Sequence, residues 1–142
     1  MANAAFTTFK AGILGADYDL AVASVKAMLV RGYAFNAAHV FVSDVTGAGG
    51  TINGTSAALT NPTLTGGVFD ADDTSVSTTA SAVNHVLIVA QTSAVTGGAD
   101  LPATGQRLIA YYDTGTNLPV QPGTGVVTVT WSAGAAKILA VT

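Results

Sequence analysis

The chain reads as an all-β protein, an antiparallel β-sandwich or jelly-roll-like domain of about eight short strands with one short helix. Three observations predict this. First, Val83–Gln91 (VNHVLIVAQ) carries the apolar, β-branched run Val86–Ala90 between turn-forming residues. So short a run fits a strand buried on both faces better than a helix. Second, a similar run, Arg107–Asp113 (RLIAYYD), follows across a Gly-Gly-Ala-Asp-Leu-Pro loop. The two form a natural antiparallel pair at the centre of a sheet. Third, Val126–Ser132 (VVTVTWS) alternates, with Val127, Val129 and Trp131 on one face and Val126, Thr128 and Thr130 on the other. That is the pattern of a half-buried strand.

The remaining elements follow in order. Met1–Ala5 is small and polar, and a flexible N-terminal arm is expected over residues 1–9. Phe6–Leu14 suits a first strand or a short amphipathic helix on Phe6, Phe9 and Ile13. Gly15–Asp19 is a turn. In Leu20–Arg31, Ala, Leu, Met and Lys favour helix while Val22, Val25 and Val30 favour strand. A strand centred on Val25–Val30 is expected. Asn36 offers an N-cap oxygen, with Phe35 and Val40 spaced as a hydrophobic staple. A helix over Ala37–Val45, riding on the sheet, follows from that spacing. Thr46–Ser56 holds four glycines and reads as a loop, flexible unless a partner pins it. With Asn61-Pro62, any strand over Ala57–Leu64 is an edge strand or is interrupted at Pro62. Gly66-Gly67 suggests a bulge before Val68-Phe69. Asp70–Thr79 starts as a turn and continues as a strand with Val76 inward and Ser75 and Ser77 outward. Connectors are expected over 114–119 and 120–125, a turn over Ser132–Ala136, and a last strand over Lys137–Val141. There is no internal repeat, heptad or linker, so residues 1–142 are expected to form one domain.

Composition narrows the function. Of 142 residues, 49% are hydrophobic and only 9% charged, against about 25% charged in a typical domain. All eight acids are Asp, a residue of turns and caps. With so few charges, Ser, Thr, Asn and Gly must wet the surface, or other subunits must cover it. A Thr-rich β-domain and a subunit of an assembly both satisfy this. The five basic residues (Lys10, Lys26, Arg31, Arg107, Lys137) are scattered and the net charge is −3, which argues against a nucleic-acid partner. No apolar run approaches the ~20 residues of a membrane span, and no signal peptide is visible. Without Cys there is no disulfide framework, thiolate metal site or thiol nucleophile.

The candidates for chemistry are few. Asp70, Asp72 and Asp73 form the one acid cluster, but the further ligands of a calcium loop are missing. A strand-entry turn whose carboxylates accept from backbone amides explains them. His39 and His85 have no local carboxylate or nucleophile, and a metal site needs three or four ligands. Gly47–Gly50 lacks the Lys of a phosphate loop, and no nucleophile elbow is present. Tyr111, Tyr112 and Trp131 are candidates to line a glycan-binding groove, or else belong to the core. No catalytic residue, cofactor or metal site is therefore expected, and an enzyme is the least favoured class.

The order of the segments carries more. YAFNAAHVFVSDV, then GVFDADD, VNHVLIVAQT, RLIAYYDTGTNLPV and VTVTWSAGAAKI together resemble a family of small virion structural proteins of tailed bacteriophages. The resemblance runs from about Val25 to Val141. It implies a β-rich, non-enzymatic virion component with no catalytic residue to carry over. A capsid decoration (cement) protein is the first expectation, a homotrimer whose partners are the major capsid protein and its own copies. Small-residue, low-charge segments make Phe6, Phe9, Thr51, Ile52 and Asn53 the candidate shell contacts. A tail-tip, baseplate or fibre module is the alternative, and a carbohydrate-binding jelly roll the third.

Overall fold

The computed structural model describes residues 3–78, 82–116, 118–120, 125–135 and 137–141. In chain order these form β1 (Ala4–Ala5), α1 (Thr7–Leu14), β2 (Val25–Arg31), α2 (Val42–Gly47), β3 (Thr51–Thr55), β4 (Thr63–Thr65), β5 (Val68–Asp70), β6 (Thr74–Thr78), β7 (His85–Ala90), β8 (Arg107–Tyr112), β9 (Gly125–Val129) and β10 (Leu139–Ala140). The all-β class holds, with ten strands among the described residues rather than eight, and two helices rather than one. All pairings between strands are antiparallel.

A five-stranded sheet, ordered β1-β8-β7-β2-β3, forms the body. The predicted pair β7–β8 lies at its heart, with β2 on the far side of β7. Val86, Leu87, Ile88, Val89 and Ala90 are all buried, as a strand covered on both faces must be. Each such Leu, Ile or Val contributes roughly 1.5–3 kcal/mol by leaving water.

Residues directly opposed across an antiparallel pair share a face, so the register defines two faces. On the first, Leu29 opposes Val86 and Gly54, and Val86 opposes Tyr112. On the second, Leu87 opposes Met28 and Tyr111, and Val30 opposes His85.

The second face is covered by α1 and the stretch around residues 33–41. Phe35 stacks 4.8 Å from Tyr111 and 5.2 Å from Phe6, and Tyr33 lies edge-on 5.9 Å from Tyr111. Two smaller sheets complete the fold, β6-β9 and β10-β5-β4, and the first of them lies over the first face. β6 packs directly on β2 and β3. A Cβ at Gly54 would stand 2.3 Å from Ser77 O, so the crossing requires a residue without a side chain.

Several expectations are corrected. Phe6–Leu14 resolves to helix, with Phe6 as its extended N-terminal flank. The arm expected at residues 1–9 is built into the fold from Asn3 onward. Ala4 and Ala5 pair with Tyr111 and Ala110. Asn3 Oδ1 accepts from the backbone N–H groups of Asp113 and Thr114. Phe6 and Phe9 are fully buried core residues and are withdrawn as shell contacts. The expectation for Met1 and Ala2 lies outside the described residues.

The helix expected over Ala37–Val45 starts five residues later. Asn36 Oδ1 does accept from Ala38 N–H, but that closes only a local turn. Val40 and Phe41 are held extended against β8, with Leu108 N–H donating to Val40 O and Phe41 bridged to Arg107. Phe35 packs on Phe6 and Tyr111 instead of forming a staple. Asp44 sets the helix start, its Oδ2 accepting from Val40 N–H at 2.8 Å and Phe41 N–H at 2.9 Å.

The loop expected over Thr46–Ser56 contains β3, an edge strand on β2. Asn53 is accordingly buried, its Nδ2 donating to Ala82 O, and is withdrawn as a shell contact. Thr51 is exposed and Ile52 half-buried. Gly66 and Gly67 form no bulge. Both have positive φ (+60° and +79°) and make a two-residue hairpin turn between β4 and β5, as tight β-hairpins require. The edge strand expected near Pro62 is β4, and Val76 of β6 is buried as expected. The tight connector over 120–125 falls mostly on residues 121–124, outside the described residues.

Candidate functional site

The first face of the main sheet is only partly covered. β6 lies against β2 and β3, while β9, its partner on the side away from that contact, stands off the sheet. Beneath β9 a cleft of about 1130 Å³ opens between the layers. Leu29, Val86 and Tyr112 form one wall, and Val127, Val129 and Trp131 the other. Ile138, Leu118 and Val120 line its remaining sides. The alternation of β9 explains the second wall: Val127 opposes the buried Val76 and so points inward with it.

Two polar groups tie the cleft together. Tyr112 Oη donates to Ile138 O, joining the main sheet to the segment that leads into β10. Burial pushes the Tyr112 phenol up to about 12, because the ionised form has no water to solvate it. On the opposite wall, Trp131 Nε1–H donates to Asp72 O, and Asp73 Oδ1 accepts from Trp131 N–H. Both ring systems are therefore fixed by their polar ends.

The three aromatic candidates separate. Tyr112 and Trp131 line the cleft, but Tyr111 points to the other face of the sheet and is 3% exposed. Neighbouring residues on a strand alternate in direction, so Tyr111 and Tyr112 were never able to share a groove. Burial also pushes the Tyr111 phenol up to about 12, aided by the Asp113 carboxylate.

Tyr111 belongs instead to an aromatic cluster that contains both histidines. His85 Nδ1 lies 2.8 Å from Tyr111 Oη, and His39 Nδ1 lies 2.9 Å from Tyr33 Oη. The rings of His85 and Tyr111 are 5.0 Å apart. Burial lowers the pKa of His85 against the opposing pull of Asp113. Sequence reasoning missed the cluster: the Tyr33–His39 contact is local, six residues apart, but His85 and Tyr111 meet each other and Tyr33 only through the sheet.

The acid cluster is engaged locally. Asp70 pairs with Lys137 at 3.4 Å, and Asp72 Oδ2 accepts from Asn61 Nδ2 and Thr60 Oγ1. The Asp70–Lys137 pair and the bonds of Asp72 and Asp73 to Trp131 make the segment a dock for Trp131 and Lys137. Among the described residues no three His or Asp side chains gather as metal ligands. No helix of the described residues is long and apolar enough to cross a membrane.

Among the described residues, the exposed large apolar ones are Leu14, Val22, Leu64, Val95, Val126 and Val141. Val22 and Val95 stand on adjacent turns, joined by the bond from Asp19 N–H to Ala94 O. Gly97 is pressed so close to Val22 O that a Cβ there would lie 2.5 Å away. A comparison with family models, curated proteins and solved structures finds no match for this chain.

Proposed function

We propose that this chain is a non-enzymatic structural protein of a tailed-bacteriophage virion, and specifically a capsid decoration protein that reinforces the head shell as a homotrimer. The observation that carries the reading is a surface almost without charge. Among the described residues, a β-rich body leaves six large apolar side chains at least 47% exposed, in a chain with only 13 ionised side chains (five basic plus eight acidic). Subunit contacts are the physical remedy for such a surface. The ordered resemblance of its segments to small virion proteins supports the same reading.

The contact surface differs from the one expected from sequence. Phe6, Phe9 and Asn53 are internal, which leaves Thr51 and Ile52 on the β3 edge. Val22 and Val95, on their packed turns, join them as contacts. A rigid turn pair presents apolar side chains at little entropic cost, and closed symmetry lets one patch serve every copy. The partners in this reading are the major capsid protein and other copies of the chain, and the location is the outer surface of the head.

Quantitative densitometry of purified virions tests the proposal. A decoration protein appears in a copy number comparable to that of the major shell protein. A few copies per particle refute decoration and indicate a tail-tip or fibre position. Absence from the particle refutes the virion role altogether.

A further inference from the structure

The cleft under β9 is not needed by an architectural role, and the fold bears its cost. Apolar space that side chains fail to fill forfeits dispersion contacts. Its lining is mixed: two apolar walls, with Asn3, Thr114, Thr116, Thr128, Thr130 and Ser132 adding polar groups. Its opposing walls place Leu29, Val86 and Tyr112 across from Val127, Val129 and Trp131. At about 1130 Å³ it lies near the upper end of small-molecule pockets.

The chemistry of the lining selects the occupant. Among the described residues that line it, the one charged side chain is Lys137, whose ammonium is 3.4 Å from the Asp70 carboxylate, and none is a carboxylate. The Tyr112 hydroxyl and the Trp131 indole N–H are already committed to protein carbonyls, so the two rings offer apolar surface more than hydrogen bonds. We infer that the inter-sheet cleft is a binding site for an uncharged amphiphilic small molecule, its hydrocarbon part held between the valines of β9 and the Leu29–Val86–Tyr112 wall and its polar part served by the Thr, Ser and Asn side chains of the lining. The inference is independent of the virion reading.

Trp131 is the only tryptophan in the chain and reports on the site directly. The test titrates the full-length protein with the neutral fluorophore N-phenyl-1-naphthylamine. Expected are saturable, blue-shifted probe emission and quenching of Trp131 by energy transfer, with 1-decanol displacing the probe. Val127→Asp places a carboxylate in the apolar wall and should weaken probe binding by about tenfold or more. Leu64→Asp, on exposed β4 outside the cleft, should leave binding unchanged. Val127→Phe fills the space without adding charge and should also lose the probe, which carries the test if the Asp variant does not fold.

Any of five results overturns the inference. The wild type binds no probe, or Val127→Phe binds it as well as wild type does. Leu64→Asp weakens binding as much as the Val127 variants do. A soluble oligosaccharide, and not decanol, displaces the probe, which assigns the cleft to sugars. Binding strengthens on dilution of the protein, which assigns the cleft to a second copy.

Discussion

Replacing Gly54 by alanine should destabilise this protein, although the same change in most strands stabilises. Gly54 sits in β3 opposite Leu29, where β6 crosses the sheet. An added Cβ would meet Ser77 O at 2.3 Å and Val76 Cγ1 at 2.8 Å. Carbon and oxygen settle at roughly 3.3–3.6 Å even in their closest regular contacts, so β6 must retreat by about 1 Å. The obstacle is backbone, which cannot rotate away as a long side chain would. Overpacking of this kind costs about 1–3 kcal/mol. Restricting the unfolded chain returns about 0.4–1 kcal/mol, for a net loss of about 1–2 kcal/mol. At roughly 2.1 cal/mol/K per residue of unfolding entropy, that lowers Tm by about 3–7 °C. Gly47→Ala is the matched control, since a Cβ there meets nothing within 4 Å at the end of α2. It should hold or raise Tm, because Ala exceeds Gly in helix propensity by about 1 kcal/mol. Scanning calorimetry and urea melts of the two variants beside wild type provide the comparison. A Gly54→Ala protein as stable as wild type would show that β6 does not press on β3, and the layer arrangement argued above would fail.

Three further outcomes follow from the same structure. Asp44→Ala removes the carboxylate that accepts from Val40 and Phe41 N–H, and should cost about 0.5–2 kcal/mol in urea unfolding. Those two bonds hold the Asp44 pKa below its usual value, so its contribution is present above the unfolded pKa and fades as pH falls through the folded one; an acid melt unchanged by the substitution would contradict this. His85, its pKa lowered by burial, stabilises fully above about pH 6.5, and its contribution is lost as pH falls; Tm measured from pH 7.5 to 4.5 should decline less in His85→Gln than in wild type. At the alkaline end, Tyr111 and Tyr112 are raised to about 12, so the folded state holds protons that the unfolded chain releases near pH 10. Stability should therefore fall as pH rises from 10 to 12. Burial raises Tyr18 and Tyr33 as well, so absorbance titration near 295 nm should show all four phenols ionising late, Tyr111 and Tyr112 at about 12; four ionising together near pH 10 would refute the burial of this pair.

Much of the sheet was legible because its signals are local. A run such as Val86–Ala90 leaves few alternatives to a buried strand, and the alternation in Val126–Val129 fixes which residues face inward. Asn61-Pro62 ahead of Thr63–Thr65 announced an edge strand through the missing amide of proline. Glycines misled where their reason was distant. Gly50 and Gly54 suggested a mobile loop, yet each lies where a neighbouring segment leaves no room for a Cβ: Val45 at Gly50, Ser77 at Gly54. Phe6 and Phe9 looked like an exposed arm because the docking of α1 against β8 is remote in the sequence; the ring of Phe35 covers Phe6 and that of Tyr18 meets Phe9 edge-on.

By itself, then, the sequence determined the class of the fold, its central strand pair and a surface short of charge, since each depends on composition or on spacing within one element. The tertiary structure decided where α2 begins, that Tyr111 and Tyr112 part company, that two histidines meet two tyrosines, and that an apolar cleft remains beneath β9. Those outcomes depend on strand order and on the distance between layers. Both are set by the summed packing of residues remote in the chain, and neither is encoded in any single segment.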